Sequence, residues 1–132
     1  MIKYLEVITQ KRTHFEEITD EVQEIIDESG IQEGICCIYV PHTTAGIFIN
    51  ENADPDVKWD IETTLDNLIP WNDDYKHIEG NAAAHIKAVL TGNSCFIPIQ
   101  KGKLLLGTWQ GIFFAEFDGP RTRKVIIKTL GE

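Results

Sequence analysis

The sequence predicts a single α+β domain, in which mostly antiparallel β-sheets pack with about three helices. Its 132 residues are the length of one domain. Hydrophobic periodicity gives the order strand, helix, two strands, two helices and then a run of strands. In that last run, short turns such as Lys101-Gly102 join consecutive strands as antiparallel hairpins. We therefore expect residues 1–132 to fold as one unit.

The first part of the chain predicts three strands around one amphipathic helix. Residues 2–9 form the first strand, and apolar residues at helical spacing follow Thr19. Thr19 is the expected N-cap, and Gly30 is placed to end the helix. The short apolar segments 35–40 and 45–50 predict buried strands.

Two more helices and four strands are expected in the rest of the chain. Asp54 as the cap and Pro55 at the first position predict a helix with one apolar face. That face consists of Val57, Ile61, Leu65, Leu68 and Ile69. A third helix covers residues 81–91, and its apolar stripe consists of Ile86, Val89 and Leu90. The strands cover 94–100, 103–107, 108–117 and 123–130.

The charge distribution argues against one class of partner and suggests another. A net charge of −9 argues against general nucleic-acid binding, which depends on clustered basic side chains. Yet residues 101–132 contain more basic than acidic side chains. This basic segment either binds a small phosphorylated ligand or pairs with acidic helices of its own fold or of a neighbouring molecule.

The cysteines and the N-terminus predict a cytoplasmic protein. Cys36, Cys37 and Cys95 lie in apolar segments and have the spacing of neither zinc ligands nor a disulfide framework. No basic-then-apolar signal peptide is present, and no apolar run approaches the roughly 18 residues needed to cross a membrane. We expect reduced thiols and no membrane association.

The segment 107–121, GTWQGIFFAEFDGPR, predicts a strand with a polar face. On an alternating strand Thr108, Gln110 and Glu116 point to one side, together with two apolar residues. An unpaired buried carboxylate costs several kcal/mol or becomes protonated. Glu116 is therefore expected to face solvent or to have a partner, such as a cation, a metal or a histidine.

Two arginines follow this strand. Arg121 and Arg123 are two residues apart, so on a strand they project from one face. Paired guanidinium groups suit a phosphate or a carboxylate ligand. The alternative is a salt bridge with Glu116 or Asp118.

Polar side chains at the ends of predicted strands are the next candidates for a site. His42, Thr43 and Thr44 lie between two strands and offer a metal ligand or proton carrier and two hydroxyl donors. The alternative is a turn in which the threonines bond local backbone groups. Asn50 and Glu51 end the next strand, where they act in a site or cap the following helix.

Three of the four histidines predict a metal or acid–base site. Asn81 and His85 are four residues apart and so lie on one side of the third helix, while His77 is in the preceding polar loop. His42 would join them only after folding, because the sequence contains no compact metal-binding signature. The alternative for His85 is packing at the margin of the apolar stripe.

Taken together, these residues resemble the YjbQ family, small bacterial and archaeal proteins also called the secondary thiamine-phosphate synthase family. The resemblance covers about residues 2–132, and its most specific part is Gly107-Thr108-Trp109-Gln110-Gly111. It implies packed sheets, a homotrimer, and a polar crevice near the subunit contacts. It also implies that some members join hydroxymethylpyrimidine diphosphate to thiazole phosphate, releasing pyrophosphate, with weak activity.

The resemblance gives candidate roles to the motif residues. The candidate catalytic residues are His42, Thr43, Thr44, Asn50, Glu51, Gln110 and Glu116. The candidate substrate-binding residues are Asn81, Thr108, Trp109, Arg121 and Arg123. The candidate metal ligands are His42, His77 and His85.

Chemistry leaves three functions open. In the transfer reaction, a divalent ion such as Mg²⁺ and the two arginines would stabilise the departing diphosphate. The histidines instead suit a zinc-like ion, which favours a metal-dependent hydrolase of a small phosphorylated or ester substrate. The third function is non-catalytic binding of a small anion.

Overall fold

The computed structural model describes residues 2–132, which form two β-sheets and three helices. The strands are β1 (Ile2–Ile8), β2 (His14–Glu17), β3 (Glu33–Tyr39), β4 (Ala45–Glu51), β5 (Ser94–Gln100), β6 (Lys103–Leu104), β7 (Gln110–Glu116) and β8 (Thr122–Gly131). The helices are α1 (Thr19–Ser29), α2 (Pro55–Leu68) and α3 (Ala82–Thr91). The predicted α+β class with antiparallel sheets is confirmed.

The two sheets differ in size and in how their strands are covered. The larger sheet has the order β1-β8-β3-β5-β6, and the smaller one has the order β2-β7-β4. The central strand of the smaller sheet, β7, is buried from Gly111 to Glu116, so both of its faces are covered. Of the polar face predicted for this strand, Glu116 is therefore buried, whereas Thr108 and Gln110 are exposed.

Two apolar cores hold these layers together. The main core lies between the two sheets and includes Val22 and Ile26 of α1. The second core lies on the other face of the smaller sheet, where Phe15, Phe113 and Phe117 pack with residues of α2 and α3. The smaller sheet is thus a middle layer, with the larger sheet on one side and two helices on the other.

Several local signals acted as predicted. The Asp54 side chain accepts a hydrogen bond from the Asp56 N–H, at 2.9 Å, and Pro55 begins α2. Gly30 ends α1 with a left-handed φ of 74°. Lys101 and Gly102 have positive φ values of 52° and 76°, as a type I′ hairpin turn requires.

Some predicted boundaries were wrong. The strand expected over 108–117 begins only at Gln110, because the Gln110 N–H and side chain close a turn with Gly107. The strand expected over 103–107 ends at Leu104. Strand β2 was not predicted, since only Phe15 of its four residues is buried and the alternation is too short to detect.

Thr19 is not the N-cap of α1. Ile18 occupies that position, without a side-chain cap, and Thr19 is the first helical residue. Its hydroxyl accepts a hydrogen bond from the Ile112 N–H at 2.9 Å and donates one to Glu17 Oε2 at 2.8 Å. The Thr19 hydroxyl, which the local sequence pattern predicted to cap α1, is used instead in a tertiary contact with β7.

The apolar stripe of α3 faces outward instead of toward the core. Val89 is 84% exposed and Leu90 is 63% exposed. The buried residues of this helix are instead Ala82, Ala83, Ala84, Lys87 and Ala88. Small side chains let the helix approach the sheet closely. Gly46 on β4 extends this fit, because a Cβ there would lie 2.6 Å from the Gly92 carbonyl oxygen.

No helix within residues 2–132 is both long enough and apolar enough to cross a membrane.

Candidate functional site

A cleft of about 480 Å³ lies where the loop between β3 and β4 meets the C-terminal part of α3. Its lining residues come from both elements and from the turn after the helix. They are His42, Thr43, Ala45, His85, Ala88, Val89, Gly92 and Asn93. The structure therefore brings two of the three predicted histidines to one cleft, together with Thr43.

His42 is held by the backbone of Lys124 on β8. Strand β3 ends just before His42, and the register of β3 with β8 would place Pro41 opposite Lys124. Proline cannot donate a hydrogen bond to the ladder. His42 Nε2 instead lies 3.0 Å from the Lys124 N and 3.1 Å from its carbonyl oxygen.

The surroundings of His42 favour a neutral ring. Partial burial lowers the pKa of His42, and the positive charge of Arg123 lowers this pKa further. An unpaired backbone N–H costs more than an under-used carbonyl, so Nε2 accepts from the Lys124 N–H and the ring proton lies on Nδ1. Nδ1 makes no hydrogen bond to the described residues, so it can donate to a ligand.

His77 and His85 form a pair of rings at the start of α3. Their centroids are 5.1 Å apart and the ring planes are at 80°. His77 Nε2 also lies 3.9 Å from Glu79 Oε2. Of the three predicted histidines, His42 and His85 thus line the same cleft, and His85 and His77 are in ring contact.

No group of three histidine, cysteine, aspartate or glutamate side chains within residues 2–132 has a geometry that could hold a metal ion. The metal expected at His42, His77 and His85 stays a prediction.

Glu116 and Arg123 form a buried ion pair between the two sheets. Arg123 Nε donates to Glu116 Oε1 at 2.7 Å, and Nη2 donates to Oε2 at 2.5 Å. Glu116 is fully buried and Arg123 is 4% exposed. Thr9 Oγ1 and the Asp118 N–H also donate to the carboxylate, each at 2.9 Å. The partner predicted for Glu116 is therefore a cation, and neither side chain faces the cleft.

Asn81, Asp118 and Arg121 form a neighbouring polar cluster. Asn81 Nδ2 and Arg121 Nη2 both donate to Asp118 Oδ2, each at 2.9 Å. Arg121 and Arg123 do not share a face as predicted: Arg121 is exposed in the turn before β8, whereas Arg123 points inward. The salt bridges considered as alternatives at the sequence level are the contacts that form.

The remaining candidates lie at the opposite end of the smaller sheet. Gln110 pairs with Glu51 where β7 begins, while Ala45 pairs with Glu116 where it ends. The six residue steps from Gln110 to Glu116 separate the two ends by about 20 Å. Thr108, Trp109, Asn50 and Glu51 therefore lie well away from the cleft of the same chain.

That second end has its own hydrogen bonds. Gln110 Oε1 accepts from the Gly107 N–H at 2.8 Å, and Asn50 Oδ1 accepts from the Glu51 N–H at 2.8 Å. Trp109 is 63% exposed, and its backbone carbonyl accepts a hydrogen bond from the Asn52 N–H. The motif thus divides into a His42 end and a Gln110 end.

Sequence reasoning missed four residues at the His42 end. Asn93 lines the cleft, Thr9 and Asp118 hold Glu116, and Lys124 orients His42. The side chain of Lys124 gave no indication of its role, because the contact with His42 is made by the Lys124 backbone. Thr9 carried a weak signal as a hydroxyl at a strand end.

Comparisons with known proteins identify relatives over nearly the whole chain. A sequence model of the family described as "UPF0047 protein YjbQ-like" matches residues 3–132. UPF0047 protein YugU of Bacillus subtilis is 52% identical over 132 residues, which cover 99% of this chain and 100% of the relative. A UPF0047 protein of Methanocaldococcus jannaschii is 55% identical, covering 100% of this chain and 95% of the relative.

Solved structures share the fold. A YjbQ/UPF0047 family protein of Clostridium acetobutylicum, described as uncharacterized, has 54% identity and a TM-score of 0.95, covering 97% of this chain and 99% of that chain. A protein of unknown function from Sulfolobus solfataricus has 38% identity and a TM-score of 0.96, covering 100% of this chain and 97% of that chain.

Proposed function

Because this chain belongs to the UPF0047 YjbQ-like family, we propose that it is a transferase of the thiamine-phosphate synthase type, acting in the cleft beside His42. The reaction joins hydroxymethylpyrimidine diphosphate to thiazole phosphate and releases pyrophosphate, as a slow side activity. The cleft carries this proposal. Its volume of about 480 Å³ is in the range of small-molecule sites, and two imidazoles and a hydroxyl line it.

The residues of the cleft suit a reaction that needs positioning and leaving-group stabilisation. The attacking thiazole nitrogen needs no base, so the neutral ring of His42 acts as a hydrogen-bond donor through Nδ1. Thr43 adds a hydroxyl donor beside it. Arg121, which pairs with Asp118 but is half exposed, is the cation proposed to contact a diphosphate, whereas Arg123 is fully used by Glu116.

A divalent ion such as Mg²⁺ would supply further positive charge at the diphosphate oxygens. Mg²⁺ binds mainly through substrate phosphates and water, so it needs no complete cage of protein ligands. The three-histidine set is not required for that role.

The test uses pure protein, both substrates and magnesium, with thiamine phosphate measured by chromatography. We expect product with the wild type, and at least tenfold less with His42→Ala, because a single positioned donor is worth that much or more. His14→Ala is the control for loss of a histidine, since His14 is not among the lining residues of the cleft, although its register places it opposite Glu116. Equal turnover by the wild type, His42→Ala and Arg121→Ala would count against the proposal.

A metal-dependent hydrolase is the second candidate, and one observation favours it. The Lys124 carbonyl lies 3.1 Å from His42 Nε2. If a metal took the place of the proton on Nδ1, Nε2 would carry the ring proton and could donate it to this carbonyl, as metal-binding imidazoles commonly do. Elemental analysis of protein purified without an affinity tag tests this candidate. Substoichiometric metal, unchanged in His85→Ala, would exclude it. Binding of phosphate without turnover of either substrate class would instead favour a non-catalytic anion-binding protein.

We also propose that the chain assembles as a homotrimer. The outer face of the larger sheet supports this, because it exposes large apolar side chains on four adjacent strands. They include Ile2, Tyr4, Ile35, Tyr39, Phe96 and Leu130. A contiguous apolar surface of this kind is typical of a subunit contact. Light scattering giving the mass of one chain would contradict the trimer.

A further inference from the structure

The loop that carries His42 crosses between the two sheets. Residues 41–44 leave β3 in the larger sheet and enter β4 in the smaller one. Within this loop, the Thr44 carbonyl accepts a hydrogen bond from the Phe117 N–H at 3.1 Å. The loop therefore depends on contacts from outside itself to fix the direction of the His42 ring.

Two consecutive residues of β8 provide such contacts. Arg123 points inward, and its Nη2 lies 2.8 Å from Thr44 Oγ1 and 3.4 Å from the Thr44 carbonyl oxygen. Lys124 points outward, and its backbone bonds His42 Nε2. The loop is thus held at two points, two residues apart.

Arg123 can hold Thr44 only because Glu116 fixes the guanidinium group. The bidentate contact occupies Nε and Nη2, and the carboxylate is fixed in turn by Thr9 and the Asp118 N–H. Both side chains of the pair are at least 96% buried. A substrate in the cleft cannot reach either group without opening the interface between the sheets.

We propose that Glu116 and Arg123 are positioning residues: their ion pair anchors Thr44 and thereby orients the His42 ring toward the cleft. This role rests on the proposed function only in assuming that His42 acts in the cleft. It differs from the roles implied by the family resemblance, which were a catalytic carboxylate at Glu116 and a phosphate-binding guanidinium at Arg123.

A purely stabilising role predicts a different pattern of effects. A buried ion pair can often be replaced by apolar side chains of similar volume without loss of stability. After such a replacement the fold would persist, but Thr44 would lose the one charged hydrogen-bond donor that it has among residues 2–132. The orientation of His42 would then change in a protein that is still folded.

The first experiment measures the tautomer of His42 by nitrogen-15 NMR at pH 8, where the ring is neutral. The wild type is expected to show one tautomer, with the proton on Nδ1. Thr44→Val removes the hydroxyl that Arg123 holds, and we expect a mixture of tautomers. Thr129→Val is the matched control, because Thr129 is a buried threonine on β8 far from the loop. A single unchanged tautomer in Thr44→Val overturns the proposal.

The second experiment uses the double variant Glu116→Met/Arg123→Leu. We expect cooperative thermal unfolding, a mixed His42 tautomer and a loss of kcat on the order of 10²-fold with KM within about twofold, the pattern of a misplaced catalytic group. A folded double variant with the wild-type tautomer and kcat overturns the proposal. If the wild type makes no thiamine phosphate, the NMR result alone decides, so failure of the function and failure of the positioning role are distinguishable.

Discussion

At the residue scale, the fate of Glu116 illustrates what burial does to a charged side chain. A carboxylate that leaves water must be compensated, and here four hydrogen bonds from three residues compensate it. The guanidinium group of Arg123 is in turn bound to Glu116, so its positive charge is not free for a ligand. A strong local charge in a sequence can therefore mark a structural support for a site instead of the site itself.

Removing the negative charge at residue 116 should destabilise the fold. Glu116→Gln leaves a buried guanidinium without its counterion, which typically costs about 3–5 kcal/mol. Urea unfolding at neutral pH checks the value. Glu51→Gln, on a partly buried carboxylate at the far end of β4, should change the free energy of unfolding by less than about 0.5 kcal/mol. Equal effects of both substitutions would refute the assignment.

The same carboxylate should make stability depend on pH in the acid range. Burial raises the pKa of Glu116. The hydrogen bonds from Arg123, Asp118 and Thr9 and the positive charge of Arg123 lower this pKa by a larger amount, so the pKa of Glu116 lies below its ordinary value. The unfolded chain therefore takes up this proton first as pH falls. Stability from this group is complete above the ordinary carboxyl pKa of about 4.3 and is lost as pH falls through the lower folded value.

Urea titrations across that range, with Glu116→Gln as the comparison, test this dependence. The wild type should lose more stability than the variant between about pH 5 and pH 3, because the variant has no proton to take up at residue 116. Parallel curves for the two proteins would show that another group is responsible.

At the element scale, local signals predicted what local interactions decide. The hairpin at Lys101-Gly102, the αL residue Gly30 and the cap at Asp54 each depend on a few neighbouring residues. Tertiary contacts decided the errors. Thr19 bonds a distant strand, and α3 turns its alanines inward because the close approach at Gly46 leaves no room for larger side chains.

The cap of α2 gives a prediction at this scale. Asp54→Ala removes the acceptor for the Asp56 N–H and should cost about 1 kcal/mol of stability. Asp60→Ala, an aspartate within the same helix, is the control and should be neutral or slightly stabilising, because alanine has the higher helix propensity. Thermal unfolding of both variants makes the comparison, and an equal loss in each would exclude a capping role for Asp54.

At the scale of the whole molecule, the candidate site was only partly predictable. His42 and Thr43, predicted at a strand end, and His85, predicted on the third helix, do reach one cleft. Sequence could not show that Gln110 and its neighbours lie at the other end of β7, because that depends on the register between strands. It also could not show the contact of His42 with Lys124, which uses backbone atoms of a residue 82 positions away.

The outer face of the larger sheet gives a prediction about assembly. Phe96 is 72% exposed on this face, so Phe96→Lys should leave the fold intact but place a charge in the proposed subunit contact. Size-exclusion chromatography with light scattering should then show monomers. Trp59→Lys, on α2 and similarly exposed at 65%, should still form trimers. If the Phe96→Lys protein is still a trimer, the subunit contact must lie on another surface.

The separation of the motif into two ends has a consequence for mixed oligomers. If the His42 end of one subunit meets the Gln110 end of the next, a protein damaged at one end can complement a protein damaged at the other. Inactive His42→Ala and Gln110→Ala chains, unfolded together and reassembled in equal amounts, should recover about a quarter of the wild-type turnover, since random mixing leaves that share of junctions intact. Each variant reassembled alone should remain inactive. A mixture without turnover would mean that each subunit contains a complete site of its own.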